Sequence, residues 1–207
     1  MGIIRKLCRF VQWSYNIIME VNLALENLRG GNIYDAFEAA KALSHLPRLP
    51  AERIVEVLSE AKCVHNRVAA AYALSWLKDR DKCLRALLNI IGDESEHPAV
   101  RAQALEGLGV QRPTGRHKLW AEVERAVLAG LTDVAVEVRF WACYAAGTLR
   151  MKRALPLLDE LSRSDSTICP RWWRVSEEAA DAIEWIHGRE TESRLPMPDP
   201  PEGPGAA

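Results

Sequence analysis

Helical periodicity runs through nearly the whole chain. Apolar residues return every three or four positions, and the strict alternation that marks a strand is almost absent. The pattern breaks at Gly30-Gly31, Pro47 to Pro50, Asp79 to Asp81, Gly92 to Pro98, Gln111 to Gly115, Leu131 to Val134 and Ser164 to Pro170. After a long leading segment, Ile3 to Leu28, the breaks predict Ile33–His45 and then four helix pairs. These are Ala51–Ala61 with Asn66–Lys78, Lys82–Ile91 with Ala99–Val110, Lys118–Leu131 with Val136–Arg150, and Arg153–Arg163 with Arg174–His187. Pro50 and Pro98 stand near helix starts, where a missing N–H costs little.

The second helix of each pair repeats one motif. Arg67, Arg101, Arg139 and Ser176 occupy its zero position, between thirty and forty residues apart, with small residues three and six places on and, except at Leu105, four places on. Ile33–His45 carries the same small residues around Ala39, Ala40 and Ala42, with Ala36 at zero. A near-constant period of this length marks a helical solenoid, in which each unit buries its apolar face only against its neighbours. Three divisions follow: an N-terminal helical cap over 1–31, a repeat array over 32–187, and a proline-rich tail over 188–207 expected to be disordered.

The Val-Arg-x-x-Ala-Ala-x-Ala-Leu-Gly kernel, with an acidic residue upstream, resembles bacterial HEAT repeats of the kind found in phycobilin lyases. The likeness spans about residues 32–187 and is best at Arg101 and Arg139. It is weaker at Arg67, and Ala36 and Ser176 replace the arginine. It implies an all-α, right-handed α-solenoid of about five helix pairs. It also implies that the alanines let helices approach closely and that Arg67, Arg101, Asp133 and Arg139 belong to a ladder between repeats. Such a kernel speaks for fold rather than for activity.

Positions two, five and nine after the zero residue share a different helix face from the buried one. In arrays of this kind that face lines the concave surface. Here it carries Tyr72, Trp76, Glu106, Trp141, Tyr144, Glu178, Asp181 and Trp185. Aromatic rings beside carboxylates suit a cationic group such as an arginine or lysine of a protein partner. The same rings could instead pack between repeats as large core residues.

Two further features stay open. Ile4, Leu7, Val11, Ser14, Ile18, Val21, Leu25 and Leu28 form a heptad seam, which suits either a cap on the solenoid end or self-association through the N-terminal helix. Trp172-Trp173 is either an exposed contact point or a plug.

Composition removes several function classes. The chain has 207 residues, 27 basic and 28 acidic, and a formal net charge of −1, so no global field favours nucleic acid or an anionic membrane. No apolar run is long enough for a membrane span, and the leader is interrupted by Arg5, Lys6 and Arg9. Lys6 stands where a myristoylation motif needs Ser or Thr. Five scattered cysteines without a Cys-x-x-Cys fit a reducing, cytoplasmic compartment. The five histidines have no ligand spacing, so no metal or other cofactor is expected, and no catalytic motif is present.

The expectation is a non-enzymatic bacterial protein-binding module: an adaptor, a scaffold or an inhibitor such as a toxin-neutralising immunity protein. Its partner would present a basic patch. Family likeness also leaves an enzyme or chromophore handler (bilin-lyase-like, or a DNA-base glycosylase) and a structural subunit of a larger assembly.

Overall fold

The computed structural model describes residues 18–46, 49–192 and 194. Its fold is all-α: helix follows helix, and the only β pairing among these residues is a single bridge between Ile168 and Arg174. We label the helices α1 (18–30), α2 (Ile33–Ser44), α3 (Ala51–Glu60), α4 (Val64–Trp76), α5 (Arg80–Gly92), α6 (Pro98–Gln111), α7 (Trp120–Gly130), α8 (Val136–Thr148), α9 (Leu155–Ser164) and α10 (Val175–Ile186). From α2 onward every boundary falls within two residues of the one read from the sequence breaks. A short 3-10 turn, Lys152–Ala154, leads into α9. The chain forms two compact units, one through Ala86 and one from Leu87, so the division falls inside α5.

In the first unit α4 packs against α2 and α3. Asn66, 1% exposed, donates through Nδ2 to the carbonyls of Leu28 (3.0 Å) and Gly31 (3.1 Å). It thereby satisfies acceptors that the end of α1 leaves without helical partners. Leu25 and Leu28 of the heptad seam are buried, whereas Ile18 is exposed, and Ile4 to Ser14 lie outside the described residues. Ion pairs Arg29–Glu60 (2.5 Å) and Lys82–Glu52 (2.6 Å) lie on the surface.

In the second unit α8 packs between α6 and α10, with α7 beside α8 and α9 beside α10. The residue three places after each zero position (Ala70, Ala104, Ala142, Ala179) is fully buried, which fixes the phase of all four kernel helices. Around them Leu105, Leu108, Val123, Val127, Phe140 and Leu158 form the core. Burying each such side chain stabilises by about 1.5–3 kcal/mol. Small residues eight places after zero set the spacing. A β-carbon on Gly109 would stand 2.7 Å from Thr148 Oγ1 and 2.8 Å from Tyr144 Cε1, so glycine alone admits α8 this close to α6.

Arginines tie the repeats together through their loops. Arg101 pairs with Asp133, which lies in the loop leading to α8. Asp133 Oδ1 also accepts the Ala135 N–H (2.8 Å), a turn that opens α8. Arg139 donates to Asp165 (2.7 Å) in the next loop and to the carbonyls of Asp133 (2.8 Å) and Val134 (3.0 Å) in its own. Burial pushes the Asp165 carboxyl up, but hydrogen bonds from Arg139 and Thr167 outweigh it and hold the group below the usual range. Arg67 reaches the carbonyls of Ala61 and Lys62, both at 3.2 Å. Asp165, the partner of Arg139, is not among the residues that the sequence pattern singles out.

Cys83, Cys143 and Cys169 are buried and Cys63 is exposed; burial pushes the Cys83 and Cys169 thiols up to about 12, where they act as small apolar groups. Among the described residues no helix is long and apolar enough to cross a membrane.

Candidate functional site

The shared face of the kernel helices becomes, in the second unit, the wall and floor of a cleft of about 840 Å³. Glu106 of α6, Trp141 and Tyr144 of α8, and Glu178, Asp181 and Trp185 of α10 all line it. Tyr72 and Trp76 belong to the first unit. There Tyr72 meets Phe37 (6.2 Å between centroids) and Trp76 (6.3 Å), and Trp76 is 51% exposed.

The rings of the cleft make a chain of edge-to-face contacts. Tyr144 meets Trp185 at 6.1 Å and Trp141 at 5.3 Å; Trp141 meets Trp172 at 5.2 Å, and Trp172 meets Trp173 at 5.5 Å. Each pair adds about 0.5–1.5 kcal/mol beyond its buried area. Phe140 stands behind them, 5.6 Å from Trp173 and itself buried. The four tryptophans and Tyr144 are only half-buried, so the wall keeps ring surface open. The rings thus pack on one another and also face the cleft.

Trp172-Trp173 enters the wall because the loop before α10 is long. It runs Asp165–Arg174, where its counterpart before α8 runs only Leu131–Ala135. The extra residues fold back on themselves, with the Cys169 N–H on the Trp173 carbonyl (3.0 Å), the Val175 N–H on Thr167 (3.0 Å), and Arg171 at φ 68° turning the chain between them. Neither helical period nor composition locates that turn.

The carboxylates sit at the bottom. Glu178 is 1% exposed and accepts from Trp173 Nε1 at 2.8 Å. Burial, with the Asp181 charge adding to it, pushes its carboxyl up to about 8 against the opposing pull of the Trp173 hydrogen bond and Arg194, so it carries a proton at neutral pH. Glu106 takes a hydrogen bond from Gln103 (2.5 Å), and burial raises its carboxyl as well. Burial likewise raises the Tyr144 phenol.

Asp181 is not open to solvent. Arg194 donates to it twice, Nε to Oδ2 at 2.9 Å and Nη2 to Oδ1 at 3.2 Å, with a third contact from Nη1 to Glu177 at 3.4 Å. The same guanidinium stands 6.0 Å from the centre of the Trp173 ring. Thr191 accepts from Trp185 Nε1 at 2.9 Å. Both residues lie beyond Gly188, in the stretch expected to leave the array, and the sequence reading named neither.

The rim also differs from the expected aromatic and acidic surface. Arg112 and Arg150, both in left-handed backbone (φ 46° and 51°) just after α6 and α8, are exposed and line the cleft, as does the exposed Arg189. No cluster of His, Cys, Asp or Glu that could hold a metal occurs among the described residues.

Comparison with known proteins agrees with the architecture. Residues 84–184 match the sequence model for HEAT repeats. No curated protein matches the chain. Among solved structures it is similar to a designed armadillo repeat protein in complex with the peptide (KR)4, at 18% identity, over 79% of this chain and 80% of that one, with a TM-score of 0.47. The stretch that matches HEAT repeats, residues 84–184, covers most of α5 and runs through α6, α7, α8, α9 and most of α10, the stacked helices that carry the kernel at Arg101, Arg139 and Ser176.

Proposed function

We propose that the protein is a non-enzymatic protein-binding module of the bacterial cytoplasm, acting as an adaptor, a scaffold or an inhibitor of the immunity-protein kind through the α6–α8–α10 cleft. The observation that carries this reading is the convergence of Glu106, Trp141, Tyr144, Glu178, Asp181 and Trp185, from three successive repeats, on one open concavity. Half-exposed tryptophans have the composition of an interface hot spot, and the Asp181 carboxylate at their base suits a basic group on the partner. In the first unit Tyr72 and Trp76 form a separate aromatic pair, with Trp76 exposed. Residues 1–31 serve as a cap in this reading. Ile18, Met19 and Leu23, between 52% and 59% exposed, provide the surface for self-association through α1.

Selection of a displayed random-peptide library on the full chain tests this. Enriched peptides should bind the wild type and lose binding to Trp141→Ala/Tyr144→Ala, provided circular dichroism shows that variant equally helical. Failure to enrich any peptide, or binding that the variant retains, would count against the cleft.

The enzyme or chromophore-handler reading draws on one feature, the proton held on Glu178 inside an aromatic cleft. A bilin absorbance shift or base release from alkylated DNA, abolished in Glu178→Gln, would favour it.

A further inference from the structure

We propose that the Asp181–Trp173 corner of the cleft is an arginine-recognition pocket, occupied in the isolated chain by its own Arg194, and that an arginine-bearing peptide partner binds there by displacing it. This rests on the protein-binding reading above and names the chemical group that the site reads.

The corner has the requirements of a guanidinium. Asp181 is 8% exposed, and Arg194 addresses both of its oxygens through the paired Nε and Nη2 donors. That fork geometry belongs to arginine, whereas a lysine ammonium is a point charge that cannot span both oxygens. Trp173 presents its ring to the same guanidinium at 6.0 Å, and its indole N–H is held by Glu178 (2.8 Å), so the ring's orientation is fixed before any ligand arrives.

Arg194 is the side-chain partner that the described residues provide for Asp181. A buried carboxylate deprived of its counter-ion is strongly unfavourable, so compensation of the Asp181 charge by another cation is the requirement for easy departure of Arg194. Exchange of one guanidinium for another meets that requirement without leaving the charge exposed to an apolar wall. Arg194 itself is exposed and lies eight residues after the end of α10, so it reaches Asp181 as a ligand tethered to the same helix.

The tether sets the competition. A segment this short holds its arginine at an effective concentration on the order of millimolar. A single free arginine therefore competes poorly, and a true partner gains over Arg194 through added contacts along Trp141, Trp172 and Tyr144.

The test titrates acetyl-arginine amide and acetyl-lysine amide into the full-length wild type, Arg194→Ala and Arg194→Lys, following the Trp173 indole N–H by NMR. Arg194→Lys keeps a positive charge beside Asp181 and guards against a variant that fails to fold. Removal of the tethered competitor should lower the half-saturating concentration of the arginine probe by roughly tenfold in Arg194→Ala. Arg194→Lys should fall between the two, and the lysine probe should bind more weakly than the arginine probe throughout. Equal binding by wild type and both variants, lysine binding as well as arginine, or no response in any protein up to the solubility of the probe would each overturn the proposal. Library-selected peptides that still require Trp141 and Tyr144, alongside any of those results, would leave the protein-binding reading standing and this inference refuted.

Discussion

A β-carbon on Gly147 would lie 2.6 Å from Cε3 of Trp185 and 2.8 Å from the Cα of Ala182. Glycine at this point of α8 lets α10 come close enough for Trp185 to turn its ring edge-on to Tyr144. Gly147→Ala gains some helix propensity, about 1 kcal/mol, but forces an overpacked contact that costs about 1–3 kcal/mol and moves Trp185. Urea unfolding should show net destabilisation. Gly92→Ala, where nothing stands within 4 Å of the added carbon, should be neutral or stabilising.

Asp133 joins two repeats at once, through Arg101 of α6 and through the turn that opens α8. Asp133→Ala leaves the Arg101 guanidinium, largely shielded from solvent, without its carboxylate. The expected loss is about 2 kcal/mol, read as a lower denaturation midpoint. A surface pair such as Lys82–Glu52, both side chains 54% exposed, should change the midpoint little when Glu52→Gln is made.

Glu178 gives the fold an unusual dependence on pH. Its carboxyl titrates near 8 in the folded protein and near 4.5 when free of its surroundings. Between those values the unfolded chain has released a proton that the folded chain keeps, so stability is full below about 4.5, falls as pH rises, and levels off above about 8. Each pKa unit corresponds to about 1.4 kcal/mol, which puts the change on the order of a few kcal/mol. Glu178→Gln retains an acceptor for Trp173 and should flatten this slope in thermal melts taken from pH 5 to 9. A slope unchanged by the substitution would show that Glu178 does not hold its proton.

The legibility of the sequence differs between helices and loops for a physical reason. On α8 and α10 the alanines at the third kernel position, Ala142 and Ala179, are fully buried, so a period of 3.6 places Trp141, Tyr144, Glu178, Asp181 and Trp185 on one side. α4 departs slightly from that rule, since Ala69, on the same nominal face as Tyr72 and Trp76, is fully buried. Trp172 and Trp173 were not legible as wall residues because their position depends on a backbone turn closed between Cys169 and Trp173. Arg194 was hidden by its context. A polar, proline-rich stretch predicts no packing, and only the three-dimensional approach of Asp181 and Trp173 gives that arginine a place.

The most direct test of the account is affinity capture from host lysate with the wild type and with Trp141→Ala/Tyr144→Ala, after both are shown to be equally helical and equally stable. The account predicts a protein that the wild type retains and the variant loses, with retention weakened by a soluble arginine-rich peptide. A protein retained equally by both would contradict it and move the binding surface away from the α6–α8–α10 cleft.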